Sequence, residues 1–195
     1  MPFSVLPSRI DGPLLIEPAV FGDHRGFFAE TYRRNELAKL GIAEEMIQDN
    51  HSRSSRGVVR GMHFHVGRGV SKLVRCARGT IVDVLVDIRR GSPTYGEWEA
   101  FELSDDNMRM LYVPIGFAHG FVVTSEIADV LYMQDAYYAP DVEAGFAWDD
   151  PDVAIDWLLP QEELQVSERD RQAPRLAEIA AELPFVYAGG AGIGS

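Results

Sequence analysis

From Val58 onward the chain breaks into short apolar runs, each closed by a turn, and this punctuation constrains the fold more than any other feature. Val58 to Phe64 and Lys72 to Ala77 read as strands. Gly79-Thr80 then turns into Ile81 to Ile88, whose apolar positions are too dense for a strand with one face in water. Trp98 to Leu103, Met110 to Val113, Gly120 to Thr124 and Asp129 to Gln134 follow, separated by turns rich in Gly, Pro, Asp and Asn. Regular short strands with such turns predict an all-β sandwich or barrel. No Rossmann or Walker glycine pattern interrupts them.

The rest of the chain decorates that body. Leu15 to Pro18 reads as a short strand closed by proline, and Phe21 to Phe28 as a turn-rich segment running into aromatics. Asn35 to Gly41 has a capping residue at one end and a glycine stop at the other, which predicts one short helix. Near the end, Leu176, Ile179, Ala180 and Leu183 have helical spacing between Pro174 and Pro184, which predicts a C-terminal helix. Ala188 to Ser195 is small and glycine-rich and is expected to fray. At 195 residues the chain has the length of one well-buried domain spanning residues 1–195, with no interdomain linker in sight.

Charge and cysteine usage narrow the function. The net charge of −12, with no basic run, makes nucleic acid and anionic membrane surfaces poor partners. A small anionic ligand is still compatible, because local arginines outweigh global charge over the short range of a pocket. The lone cysteine, Cys76, lies in an apolar run and reads as a buried structural thiol in a reducing compartment. With no signal-peptide pattern and no stretch long enough to span a bilayer, a cytoplasmic location is expected.

Chemistry concentrates in two segments, Val59-Arg60-Gly61-Met62-His63-Phe64-His65 and Pro114-Ile115-Gly116-Phe117-Ala118-His119-Gly120, which hold three of the chain's five histidines. Period-two alternation puts His63 and His65 on one face of a strand. One outline is a metal cupin using His63, His65 and His119 on a jelly-roll barrel. Such sites usually add a carboxylate just beyond the H-x-H pair, and here Val66 to Lys72 offers Arg68 and Lys72 instead, which a divalent ion would repel. Arg25, Arg60, Arg68, Lys72 and Arg75 flank the same region and suit an organic anion better. Histidine beside lysine and tyrosine is also a set able to move a proton on carbon next to a carbonyl. A catalytically silent binder of the same anion is the third reading.

Beyond these patterns, the chain resembles the dTDP-4-dehydrorhamnose 3,5-epimerase family from about residue 14 to about residue 175. The resemblance rests on Phe21-Gly22-Asp23-x-Arg25-Gly26-Phe27-Phe28-x-Glu30, Gln48-Asp49-Asn50-His51-Ser52-x-Ser54, Val59 to Phe64, Lys72-Leu73-Val74-Arg75 and Gly91 to Gly96. It continues through Pro114 to Phe121, Tyr137-Tyr138-Ala139-Pro140, Asp150-Pro151 and Ser167-Glu168-Arg169-Asp170. It implies a cupin-like jelly roll with a few short helices, commonly a homodimer, acting without metal or cofactor on dTDP-4-dehydro-6-deoxy-D-glucose. By the same resemblance His63 is the base, Asp170 the carboxylate that orients it, Lys72 the cation for the enolate oxygen and Tyr132 the acid on the opposite face. Arg25, Glu30, Gln48, Asn50, Arg60, His119, Glu143 and Arg169 match positions that hold the sugar nucleotide, and Tyr138 matches an aromatic that stacks on thymine. The chain departs from the family where glutamine commonly stands in place of His65, where Val70-Ser71 precedes the lysine, and at Tyr132-Met133-Gln134-Asp135-Ala136. These departures bear on which dTDP-sugar is taken and on whether C3, C5 or both are inverted.

Overall fold

The computed structural model describes residues 2–189; of the tail expected to fray, only Ala188 and Gly189 lie inside that range. Fourteen strands build the fold among the described residues. They are β1 (Phe3–Leu6), β2 (Leu14–Pro18), β3 (Val20–Asp23), β4 (Gly26–Ala29), β5 (Gln48–Ser55), β6 (Val58–His65) and β7 (Lys72–Arg78). After them come β8 (Thr80–Asp87), β9 (Trp98–Ser104), β10 (Met110–Val113), β11 (Phe117–Val123), β12 (Ile127–Gln134), β13 (Glu143–Gly145) and β14 (Gln165–Val166). One sheet runs β1-β2-β10-β7-β12-β5, and a second runs β13-β6-β11-β8-β9 with β14 beside β6. This is the cupin-like jelly roll the sequence led to expect, an all-β body with short helices at its margin.

Strand alternation sorts side chains into three layers. Between the sheets, Val74, Cys76 and Val130 from one meet Ile81, Leu85, Phe117 and Phe121 from the other. Outside the second sheet, Val59, Met62, Val82, Val84 and Val86 are covered by Phe146, Trp157, Leu176 and Leu183 from the C-terminal segment. Outside the first, Ile16, Leu73 and Met110 pack under Leu37, Ile42 and Met46. The central strand β8 therefore has apolar neighbours on both faces, which is why its sequence lacks alternation.

The helices are shorter than the patterns predicted. Helix α1 spans Arg34–Ala38 and starts after Arg33 rather than from an Asn35 cap. Its stop is as expected, with Gly41 at φ 94° and Ile42 N–H donating back to the Leu37 carbonyl at 3.1 Å. Helix α2 is Glu168–Arg171, and α3 is Leu176–Ile179, followed by a 3₁₀ turn at Ala180–Glu182. The span between Pro174 and Pro184 is too short to propagate a long helix, so burial of Leu176 and Leu183 on the second sheet fixes its shape.

Several elements carried no strand signal. In β5 the sequence Gln-Asp-Asn-His-Ser-Arg-Ser-Ser is polar on both faces, because the inward residues line a polar cavity and the outward ones meet water. The turn-rich segment after Pro18 forms the β3–β4 hairpin, with Phe21, Phe27 and Phe28 at 67%, 64% and 66% exposure.

The Gly91 to Gly96 motif proves to be a structural tie. Asp87, at the end of β8, accepts hydrogen bonds from Arg89 N–H (2.9 Å), Arg89 Nη2 (2.7 Å), Ser92 Oγ (2.6 Å) and Thr94 Oγ1 (2.8 Å). Burial works to raise its pKa, and these donors outweigh burial and hold the carboxyl below its usual range. A lowered native pKa adds stability above the unfolded value of about 4 and loses it as pH falls through the native value. Asp170, described below, has the same sign. The melting temperature should therefore hold from neutral pH down to about 5 and drop below about 4; a flat profile through that range would contradict the assignment.

Candidate active site

Strand β6 carries the two segment-one histidines, and its backbone changes phase just before them. His119 pairs with His63 but Phe121 pairs with Arg60, so β6 holds one residue more than β11 between these rungs. Such a bulge switches which side chains face inward: Met62 and Phe64 join the outer layer, while Arg60, His63 and His65 all face the cavity. Gly61 makes this possible. It sits at φ 137°, and a Cβ there would lie 2.5 Å from Gly120 Cα.

The cavity has a volume of about 530 Å³ and lies between the two sheets. From the second sheet come Arg60, His63, His65, His119 and Glu143; from the first come Ser52, Lys72, Tyr132 and Gln134; Tyr138 and Arg169 close its mouth.

His63 Nε2 lies 2.7 Å from Asp170 Oδ1, a contact across 107 positions of sequence. The helix that brings Asp170 there begins at Ser167, whose Oγ accepts the Asp170 N–H at 3.1 Å. The second carboxylate oxygen faces Gly61 N–H at 3.5 Å, in the bulge itself. Burial pushes the Asp170 carboxyl up, and the His63 contact with the Gly61 and Ser167 hydrogen bonds outweighs it, so it is held below the usual range. An ionised carboxylate accepts from Nε2–H and leaves the lone pair of Nδ1 available. The His63 side chain is 25% exposed and that of Asp170 7%, so the imidazole meets the cavity with the acid sealed behind it.

Across from this pair, Lys72 is buried with its Nζ 5.8 Å from the centre of the Tyr132 ring. No carboxylate among the described residues comes within ion-pair distance of it. Burial lowers the Lys72 pKa, against the more distant charges of Asp83 and Glu143. Burial also raises that of Tyr132, with Glu143 adding to it, which keeps the phenol protonated.

Nearer the mouth, Glu143 accepts from Arg169 Nη1 at 2.8 Å and from the Tyr138 hydroxyl at 3.1 Å. Tyr138 N–H donates to Gln48 Oε1 at 2.8 Å, and Gln48 Nε2 to Asn50 Oδ1 at 3.0 Å. Arg60 Nε donates to Ser54 Oγ at 3.1 Å. The expected site residues on β5, β6, β12, β13 and α2 are thus brought to one cavity or to its rim.

Others are not. Arg25 and Glu30 lie on and beside the β3–β4 hairpin, bound to Asp23 and Arg33 rather than to the cavity. Arg68 binds Asp135 at 3.0 Å, with its side chain 60% exposed. Arg75 alternates away from Lys72 and Val74 on β7 and lines the opposite face of its sheet. Of the cations expected to flank the pocket, Arg60 and Lys72 alone line it; Arg75 is turned away by strand alternation, and Arg25 and Arg68 lie in turns outside it.

Sequence reasoning missed Asp83. It is fully buried on β8, and its Oδ2 lies 2.9 Å from His119 Nε2. An acid inside an otherwise apolar strand was the available signal. No cluster of three or more His, Cys, Asp or Glu among the described residues is arranged to hold a metal ion, so the three-histidine metal outline gains no support.

The family model for dTDP-4-dehydrorhamnose 3,5-epimerase matches residues 7–178. The chain belongs to the dTDP-4-dehydrorhamnose 3,5-epimerase family. It is 48% identical over 166 residues to the dTDP-4-dehydrorhamnose 3,5-epimerase of Pseudomonas aeruginosa, covering 85% of this chain and 91% of that one. Over 177 residues it is 44% identical to the enzyme of the same name from Methanothermobacter thermautotrophicus, covering 90% and 96%. A crystal structure of a dTDP-6-deoxy-D-glucose-3,5-epimerase from Legionella pneumophila, in complex with dTDP-4-keto-L-rhamnose, superposes with a TM-score of 0.92 at 42% identity, covering 96% of this chain and 100% of the other. The family match extends a little beyond the stretch of resemblance read from the sequence.

Proposed function

We propose that this chain is a dTDP-4-dehydrorhamnose 3,5-epimerase, inverting C3 and C5 of dTDP-4-dehydro-6-deoxy-D-glucose without metal or cofactor. The observation that carries this reading is the His63–Asp170 contact at 2.7 Å, opening on a cavity whose far side holds a buried lysine and a protonated tyrosine.

The C4 ketone acidifies the hydrogens on both neighbouring carbons. His63 Nδ1 takes a proton from C3 or C5, and the C–H electron pair moves into an enolate whose charge rests on the C4 oxygen. Asp170 steadies the imidazolium through Nε2–H, and the Lys72 ammonium stabilises the oxygen. Tyr132 returns a proton to the opposite face of the same carbon, which inverts it. Solvent then takes the proton from His63 and restores the one on Tyr132, so each inversion is proton-neutral. Arg60, Arg169 and His119 hold the sugar nucleotide with Gln48, Asn50 and Glu143, and Tyr138 stacks on the base.

Arg25 and Glu30 are assigned to the site of a second copy. They sit on and beside a hairpin that turns Phe21 and Phe28 to one face and Phe27 to the other, all exposed among the described residues, and a symmetric homodimer would bury this apolar surface. Sedimentation should give about twice the chain mass of 21.7 kDa, and a monomer at working concentration would remove those two residues from the site.

No helix among the described residues is long and apolar enough to cross a membrane. Cys76 is buried, and burial pushes its thiol up to about 11, the state of an inert structural thiol. The acidic composition and the lone cysteine fit a cytoplasmic enzyme.

The direct test is proton NMR of the substrate with the protein and a chelator in heavy water. Deuterium should enter at both C3 and C5. Entry at one position only would make this a single-centre epimerase, and entry at neither would sink the assignment.

A further inference from the structure

His65 stands apart from the other cavity histidines. Alternation along β6 turns it to the same side as His63, two residues further on, opposite Glu143 of β13. It is only 6% exposed, yet both Nδ1 and Nε2 are buried without a hydrogen-bond partner among the described residues. His63 and His119 each have an aspartate on Nε2. Buried imidazole nitrogens are ordinarily bonded; those of His65 lie just beneath the cavity wall, where a turn of the side chain would present the unbonded N–H to what enters.

Its surroundings specify the charge state. Burial, and after it the Lys72 charge, lower its pKa; His63 and Arg169 act in the same direction and Glu143 in the other. His65 is therefore a neutral imidazole with one N–H donor, beside a buried cation that itself has no carboxylate partner.

We propose that His65 donates a hydrogen bond to the C4 oxygen of the reacting sugar, sharing that oxygen with Lys72. The proposal rests on the epimerase reading. With His63 reaching the hydrogens on both carbons that flank C4, the proposal turns the oxygen between them toward the next inward side chain of the same strand, about 7 Å along. Negative charge collects on that one oxygen whichever carbon loses its proton. A neutral donor adds to its stabilisation without the repulsion that a second cation beside Lys72 would bring. His65 is thus a catalytic residue of both half-reactions, and it selects for a ketone at C4.

Two variants test this, His65→Leu, which keeps the volume but has no N–H, and His65→Gln, which keeps a neutral donor. Each is assayed for kcat, KM and deuterium entry at C3 and at C5 separately, with dTDP affinity and melting temperature as controls of the fold. His65→Leu should lower kcat about 10²-fold with KM changed less than about threefold, the pattern of an interaction made only in the transition state. Exchange at C3 and C5 should fall by the same factor, because the oxygen is common to both enolates. His65→Gln should recover activity to within about tenfold of the unaltered protein. Should the leucine variant not fold, His65→Ala replaces it in the comparison with glutamine. Loss confined to KM, unequal loss at the two carbons, or equal activity in the glutamine and leucine variants would each overturn the proposal. Absence of exchange in the unaltered protein would instead mark failure of the epimerase reading.

Discussion

His63→Ala should lower deuterium exchange at both C3 and C5 by about 10³-fold or more, the scale of a lost general base that acts on both carbons. The structure also assigns a stability cost. Removing the imidazole leaves the Asp170 carboxylate buried with only the Gly61 N–H and the Ser167 hydroxyl against the burial that drives its pKa upward. A buried acceptor stripped of its partner costs about 1–3 kcal/mol, so the melting temperature should fall by several degrees while the protein still folds and binds dTDP. Adding Asp170→Asn to His63→Ala should return part of that loss, because the neutral amide has no charge to desolvate. Exchange that survives within tenfold of the unaltered rate would remove His63 from the role of base.

Lys72→Met should separate activity from stability in opposite directions. Methionine keeps the length and apolar stem but not the ammonium, so kcat should drop about 10²- to 10³-fold with loss of charge stabilisation at the C4 oxygen. The melting temperature should rise. Lys72 is buried with no carboxylate in ion-pair range among the described residues, and its native pKa is lowered by burial. A lysine whose native pKa lies below its unfolded value destabilises the fold wherever the unfolded chain is protonated, which includes neutral pH. Replacing it removes that penalty, as expected where an active site is held against the preference of the core. A fall in melting temperature with unchanged kcat would make Lys72 a packing residue instead.

The two variants probe sides of the cavity that the sequence exposes unequally. Lys72 sits in Lys72-Leu73-Val74-Arg75, where period two groups it with Val74 and Cys76; with Leu73 buried on the other face as well, only the structure shows which parity faces the cavity. The same alternation excludes Arg75 from the cavity. Asp170 has no such local cue: it stands in a polar helix start whose residues are otherwise exposed, and only docking of that helix on β6 makes it the partner of His63.

By itself the sequence determined the all-β class, the run of strands from β6 to β12, the glycine stop after α1 and the placing of His63 and His65 on one strand face. These are local matters, set by side-chain alternation and by turn residues acting on their immediate neighbours. It also carried enough ordered motifs to place the chain in its family. Tertiary structure alone decided the rest. The extra residue at Gly61 brings Arg60 into phase with His63, and this depends on the close approach of Gly120 from a strand far away in sequence. The His63–Asp170 and His119–Asp83 contacts join different strands and a helix, β5 became a strand by pairing with β12, and Arg25 and Glu30 were carried off on a hairpin of their own. Each of these is fixed by inter-strand register and by packing between layers, energies that belong to pairs of segments and are written in neither segment alone.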